Sequence, residues 1–290
     1  MEQYRIITDS SCDLTQSMAD ELGLAIAPLS VHFQGQECRN YLDGRELDVK
    51  KFYSGLRAGE MTSTTAANPV LWKSVAEPAL KNGEDVLILA FSSGLSTTYN
   101  AARIAAEELM EEYPGRKVEV VDTLCASLGQ GMLCWLVVQK KKAGASLEEA
   151  RAYAEDTKLH QAHWFTVDDL FFLKRGGRVS GSTAVLGTML QIKPILHVDD
   201  NGKLISVSKA RGRKASIQAM ADKVGTDAIA PETQTMFISH GDCLEDAEYL
   251  AKLIKEKYRV PEIHINHVGP VIGSHSGPGT LALFFLAEHR

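Results

Sequence analysis

Three short apolar runs each break abruptly into Asp, Ser or Thr: "YRIITDSS" from Tyr4, "DVLILAFSS" from Asp85 and "KVEVVDT" from Lys117. Stretches with helical spacing stand between and after them. Unbroken apolar runs are what strands buried on both faces require, and the helical stretches supply the crossovers. The first half therefore reads as a mostly parallel sheet covered on both sides, with right-handed connections.

Local signals fill in this frame. Leu14 to Leu22 has helical spacing and Gly23 as its stop. "LAIAPLSVHF" reads as a second strand, "LDVKKFYSGLRAG" as a helix, and "NPVLWKSVAEPALKNG" as a helix opened by Pro69. Helices are expected from Thr97 to Tyr113 and from Gly129 to Ala143. Another begins after Ser146, with Glu149 three residues on as a capping box. The stretch "EMTSTTAANP" reads as a loop.

Beyond His160 the alternation breaks, so the expected organisation is two domains, 1–160 and 161–290, the second a mixed α/β unit. "HWFTVDDLFFLKRGGRVSG" reads as strand, short helix and glycine turn, and "SGSTAVLGTMLQ" as helical. "IKPILHVDDNGKLISVSKA" reads as a hairpin around Asp-Asn-Gly. A helix, strand, helix and strand follow, and "PVIGSHSGPGTLALFF" reads as two further strands.

Lys plus Arg is 31 against 37 Asp plus Glu, a formal charge of -6, so the basic footprint of a nucleic-acid binder is missing. The five cysteines have no metal-ligand or CxxC spacing, which suits a reduced, cytoplasmic protein. The chain opens directly on a strand without a signal-peptide pattern. Its apolar runs are shorter than the roughly 18 residues of a membrane helix, so no stable membrane insertion is expected.

In an open parallel sheet the ligand site lies at the carboxyl ends of the strands. The end of "LAFSSGLSTT" carries five hydroxyls, including Ser92 and Ser93, and Gly94. A cap uses one oxygen. Gly94 would let a ligand approach the backbone, and the following helix would turn its free N–H groups toward an anion. No Lys or Arg stands in the hydroxyl loops, and no GxxxxGK[ST] loop exists, which argues against a nucleoside triphosphate. His275, before a Gly-Pro-Gly turn, reads as structural or as a site residue. "LKRGGRVS" reads as an exposed basic turn or an anion contact.

Taken in order, "TDSSCDL", "TTAANP", "SSGLSTTY", "DTLCASLGQG", "LKRGGRVS", "IKPIL" and "SHSGPGT" resemble the DegV family over nearly the whole chain. The resemblance implies two α/β domains with a long-chain fatty acid between them, and no catalytic residue, metal or cofactor. It further implies a separate fatty acid kinase catalytic subunit that phosphorylates the bound carboxylate. Carried over, the carboxylate ligands are Thr64 and Ser93, with His275 beside them. Thr62 is the alternative if the register slips by two. Arg178 and Arg211 become phosphate or partner contacts. Here Thr65-Ala66-Ala67-Asn68 stands where the family has Ser-Gln-Pro-Ser, and Thr97 replaces a glycine. "FFL" at 171–173, "AVLGTMLQI" at 184–192 and "LALFFLA" at 281–287 are candidate walls for the acyl chain, or ordinary core.

Two other classes fit single motifs. Ser93 or Ser96 after a strand suggests a serine hydrolase, although neither stands in G-x-S-x-G. Asp9, Asp13 and Asp122 at strand ends suggest a metal-dependent phosphatase-type enzyme, although turns and caps use Asp in the same places.

Overall fold

The computed structural model describes residues 3–179 and 191–290. Four parallel strands form the first sheet, in the order β2-β1-β6-β7: β1 Tyr4–Asp9, β2 Ala25–Ala27, β6 Asp85–Ala90 and β7 Val118–Asp122. Every residue of β6 is buried, as a central strand covered on both faces must be. Val86, Ile88 and Ala90 pack with α3 (Pro69–Lys81) and α4 (Thr98–Glu112). Leu87 and Leu89 face the other way, toward α5 (Leu128–Lys142) and α6 (Leu147–Thr157). The period of two along β6 thus divides the first core into two layers. The first helix, α1, runs Gln16–Leu22 and ends on Gly23 in the left-handed region, and Ser146 with Glu149 forms the expected capping box.

Pro28 corrects the expected single strand "LAIAPLSVHF". β2 stops at Ala27, and Ser30–Phe33 begins a new strand, β3, in a different sheet. Proline has no N–H to give the ladder, so the chain leaves the parallel sheet there. β3 is the centre of a three-stranded antiparallel sheet, flanked by β4 (Gln36–Arg39) and β5 (Ser63–Thr65). The segment expected to be a loop therefore contains a strand, with Thr64 opposite Val31. Helix α2, Val49–Arg57, lies between β4 and β5 in sequence, with Asp48 as its cap.

Residues 161–286 supply a six-stranded mixed sheet, order β10-β9-β8-β13-β11-β12. Its strands are β8 Gln161–Thr166, β9 Ile192–Val198, β10 Leu204–Arg211, β11 Thr235–His240, β12 Glu262–His267 and β13 Leu281–Leu286. β11 and β12 are parallel; the other pairings are antiparallel. β9 and β10 are the expected hairpin. One face of the sheet, with Trp164, Ile238, Leu281, Leu283 and Phe285, packs with α8 (Arg213–Asp227) and α9 (Leu244–Tyr258). The opposite face, with Phe165, Phe237, Ala282 and Phe284, shares a core with α5. Helix α5 is thereby held between the two large sheets, and its glycines allow it. A Cβ at Gly129 would stand 2.2 Å from His163 Nε2, and one at Gly131 2.6 Å from the Cys12 carbonyl oxygen.

"PVIGSHS", expected to be a strand, is helix α10, Pro270–Ser276, with proline at its first turn. Proline suits that position because its missing N–H would be unpaired anyway. The short helix α7 spans Phe171–Arg175 and precedes the Gly176-Gly177 turn. All but Gln191 of "SGSTAVLGTMLQ", and all but Gln191 and Ile192 of "AVLGTMLQI", lie outside the described residues.

Candidate ligand-binding site

A cavity of about 460 Å³ opens between the carboxyl ends of the parallel strands and the α5-facing side of the mixed sheet. That size is within the range of small-molecule sites. Alternation in the mixed sheet selects its wall: Phe165, Val198, Ala282 and Phe284 line it, with Leu204 from the hairpin. Of the expected acyl walls, Leu173 and the pair Ala282 and Phe284 contribute. Phe171 is exposed, and Leu281, Leu283 and Phe285 point into the other core.

Thr64, Ser93, His275 and Arg178 all line this one cavity, although they come from β5, the loop after β6, α10 and the turn after α7. Thr64 Oγ1 and His275 Nε2 are 2.7 Å apart. Burial, then the charges of Arg178 and Arg175, push the His275 imidazole down to about 4, so at neutral pH it is uncharged. Gly176 makes room for the ring, because a Cβ there would stand 2.5 Å from His275 Nδ1. Arg178 is half-buried and bonds the Gly176 carbonyl; burial lowers its pKa. A neutral imidazole bonded to a threonine has two tautomers. If Nε2–H donates to Thr64, the threonine hydroxyl is free to donate to a ligand.

The five hydroxyls of "SSGLSTT" have separate uses. Ser92 is buried and donates to the Gly202 carbonyl at 2.9 Å, holding the β9–β10 hairpin. Ser96 and Thr98 bond each other at 2.9 Å, and Ser96 Oγ also accepts from the Thr98 N–H, at the start of α4. Ser93 and Thr97 line the cavity, and so does Ser96. Gly94 packs on that hairpin, since a Cβ there would meet the Asn201 carbonyl oxygen at 2.5 Å. The glycine thus admits the chain's own backbone, where the sequence suggested a ligand. Thr62 does not line the cavity, and its buried hydroxyl has no hydrogen-bond partner among the described residues. Arg211 is exposed at the end of β10, away from the cavity wall.

The aspartates of the metal reading have other work. Asp9 accepts from the Ser11 and Phe91 N–H groups at 3.0 and 2.8 Å and from Gln130 Nε2 at 3.1 Å. Asp122 accepts from the Ser93 and Leu124 N–H groups. Among the described residues no three His, Cys, Asp or Glu converge to hold a metal ion. For the hydrolase reading, the hydroxyl that meets His275 is Thr64, in place of Ser93 or Ser96. Sequence reasoning did not single out Ser127, Ser239 and His163 on the cavity wall. The first follows a strand end that had been noticed, "VVDTLCAS"; the other two lie inside strands and show only through sheet alternation. Among the described residues no helix is long and apolar enough to cross a membrane.

Fold and cavity define a class: an α/β protein with a largely apolar chamber whose wall carries hydroxyls, the neutral imidazoles of His163 and His275 and, among the described residues, the Arg178 guanidinium. The chain belongs to the DegV family, whose model, described as "uncharacterised protein, DegV family", matches residues 3–288. It is 45% identical over 290 residues to a DegV domain-containing protein of Clostridium perfringens, covering 100% of this chain and 99% of the relative. Among solved structures it resembles a fatty-acid-binding DegV family protein from Thermus thermophilus, with TM-score 0.87 and 31% identity over 98% of this chain and 99% of the other. It also has the fold of the Streptococcus pneumoniae fatty acid kinase (Fak) B3 protein, solved with linoleic acid, with TM-score 0.86 and 20% identity over 99% and 100% of the two chains.

Proposed function

We propose that this chain binds a long-chain fatty acid in the large cavity and presents its carboxylate to a separate kinase, which forms the acyl phosphate. The observation that carries the reading is the single cavity that brings Thr64, Ser93, His275 and Arg178 together with further hydroxyls and with apolar residues of the mixed sheet, Phe165, Val198, Ala282 and Phe284. A carboxylate leaving water needs hydrogen bonds. Hydroxyl donors supply them, and Arg178 adds a charge. The tail drives binding: roughly 14 methylenes at about 0.8 kcal/mol each give about 11 kcal/mol gross. Association costs of roughly 4–15 kcal/mol mean that only an enclosed tail yields tight binding.

In this reading Thr64 and Ser93 orient the carboxylate oxygens, and His275 fixes the Thr64 hydroxyl. Arg178 steadies charge as the phosphoryl group arrives, and exposed Arg211 is available to the partner. Two α/β domains, 1–160 and 161–290, would form the two sides of the chamber. The fatty-acid-binding relative from Thermus thermophilus supports the ligand. Mass spectrometry of the denatured, purified protein should release a C14–C18 acid. The double variant Thr64→Ala, Ser93→Ala should retain added acid at least tenfold more weakly. Absence of released acid together with no binding of added acid refutes the carrier reading.

A further inference from the structure

Ser127 joins the acyl cavity to a second, smaller one. Its hydroxyl, on the wall of the large cavity, lies 2.6 Å from Asp13 Oδ2 and 2.9 Å from Ser239 Oγ. Asp13 in turn lines a polar cavity of about 190 Å³, bounded by the turn after β1, the 40–49 loop and the turn after β12. Asp13 is only 3% exposed. Among the described residues its second oxygen, Oδ1, is buried and makes no hydrogen bond of acceptable geometry, although the Gly269 backbone lies alongside and favours the ionised form.

Two amides on the wall of this cavity can also offer acceptor oxygens. Asn40 Nδ2 donates to the Ser10 carbonyl at 3.3 Å, and Asn266 Nδ2 donates to the Asp13 carbonyl at 2.8 Å. Each amide thereby commits one N–H to the backbone, and its carbonyl oxygen can accept from another partner. His267 Nδ1 is buried and unpaired, and burial lowers the ring's pKa, which keeps it neutral. Asp43 and Asp48 also line this cavity, but Asp43 pairs with Arg45 and Asp48 accepts from the Lys51 N–H, so Asp13 is its buried carboxyl with an unpaired oxygen, and such a group asks for a positively charged donor. Because no three His, Cys, Asp or Glu converge among the described residues, a caged divalent metal is a poor fit. An ammonium carries three donors on a compact charge and needs one carboxylate and neutral oxygens.

We propose that this second cavity binds the primary ammonium group of a small amine, with Asp13 Oδ1 as its counter-charge and the Asn40 and Asn266 side-chain oxygens as further acceptors. The unoccupied carboxyl behaves accordingly: desolvation raises it to about 8, so at neutral pH it mostly holds its proton. Ammonium binding would ionise it and release that proton to solvent. Ser127 would then donate to Asp13 and could no longer donate to Ser239 on the acyl wall. Nearby, Arg45 already pairs with Asp43, and Asp48 and Lys50 flank His267.

The test is titration of the full chain with ethylammonium chloride against tetramethylammonium chloride at equal ionic strength, near pH 7. The carboxyl carbon of ¹³C-labelled Asp13 serves as the reporter. Ethylammonium should bind saturably, move the Asp13 resonance to its ionised position and release close to one proton; tetramethylammonium, which has no N–H, should do neither. Asp13→Asn should weaken binding more than tenfold. Leu42→Trp, which fills the cavity and leaves Asp13 intact, should do the same if Asp13→Asn fails to fold. Equal binding of the two cations, an unmoved Asp13 resonance, or Mg²⁺ saturating the site while ethylammonium does not, would each overturn the assignment.

Discussion

The carboxyl end of β1 and the opening formed by β5 with the loop after β6 use the same residue types for opposite ends. At β1, Asp9 is fully buried and meets two backbone N–H groups and an amide. Thr8, beside it, donates to the Leu89 carbonyl at 2.7 Å. Around the cavity, Thr64 meets only a neutral histidine, and Ser93 uses its backbone N–H on Asp122 while its side chain lines the chamber. What separates the two regions is the supply of unpaired backbone groups. Where the chain turns sharply next to buried strands, side-chain oxygens are consumed in satisfying it. Where a hairpin, a helix and a separate small sheet meet, some are left over, and those are available to a ligand.

The largest expected effect tests this division directly. Asp9→Ala strands the Ser11 and Phe91 N–H groups and the Gln130 amide, and should cost about 3 kcal/mol or more of folding stability. Thr64→Ala should cost less than about 1 kcal/mol while weakening fatty acid retention. Urea denaturation of both variants checks the pair. Equal losses would show that Thr64 is as structural as Asp9.

Next comes the pH dependence of His275. Its folded pKa of about 4 lies below the usual histidine value near 6.5. The unfolded chain therefore binds more protons between these values, and the histidine's contribution is complete above about 6.5 and lost as pH falls toward 4. The full span corresponds to about 3 kcal/mol at most. His275→Gln should flatten the acid side of the stability profile. Histidine NMR should show the ring neutral at pH 6 in the lipid-free protein and its pKa raised once a carboxylate sits beside it. A ring that titrates near 6.5 without ligand would remove the basis for an uncharged Thr64 partner.

Much of the fold was legible because its signals are local. The unbroken run "DVLILA", the box at Ser146 and Glu149, and the Asp-Asn-Gly hairpin each state their own structure. Pro28 and Pro270 are visible too, and proline ends β2 and opens α10 where the sequence reads as continuous strand. The site was half legible. Thr64, Ser93, His275 and Arg178 stand in motifs and do share a cavity. Ser239 and His163 could not be found, because their exposure to the cavity depends on which face of a six-stranded sheet meets α5. Gly94 reads as a place for a ligand to approach the backbone, and the structure sets Asn201 and Gly202 of a hairpin 107 or more residues later against it, a packing that no local signal in the sequence shows.

That packing yields the smallest and most discriminating prediction. Gly94 has no unusual backbone angle to preserve, so Gly94→Ala acts through space alone. The added methyl would stand 2.5 Å from the Asn201 carbonyl oxygen and 2.7 Å from that of Gly202, both backbone atoms that cannot swing aside. The hairpin must shift, at a cost of about 1–3 kcal/mol. Its strands carry Val198 and Leu204 on the chamber wall, and Ser92 anchors its turn, so the same shift should loosen the wall and speed release of a bound acid. If the hairpin is only a brace, stability and ligand off-rate will change together in Gly94→Ala and both will be spared in Thr97→Ala, whose side chain lines the chamber and makes no cap bond to α4. If instead Gly94→Ala abolishes carboxylate binding at unchanged stability, the glycine borders the ligand after all, and the division between the brace and the open hydroxyls fails at that residue.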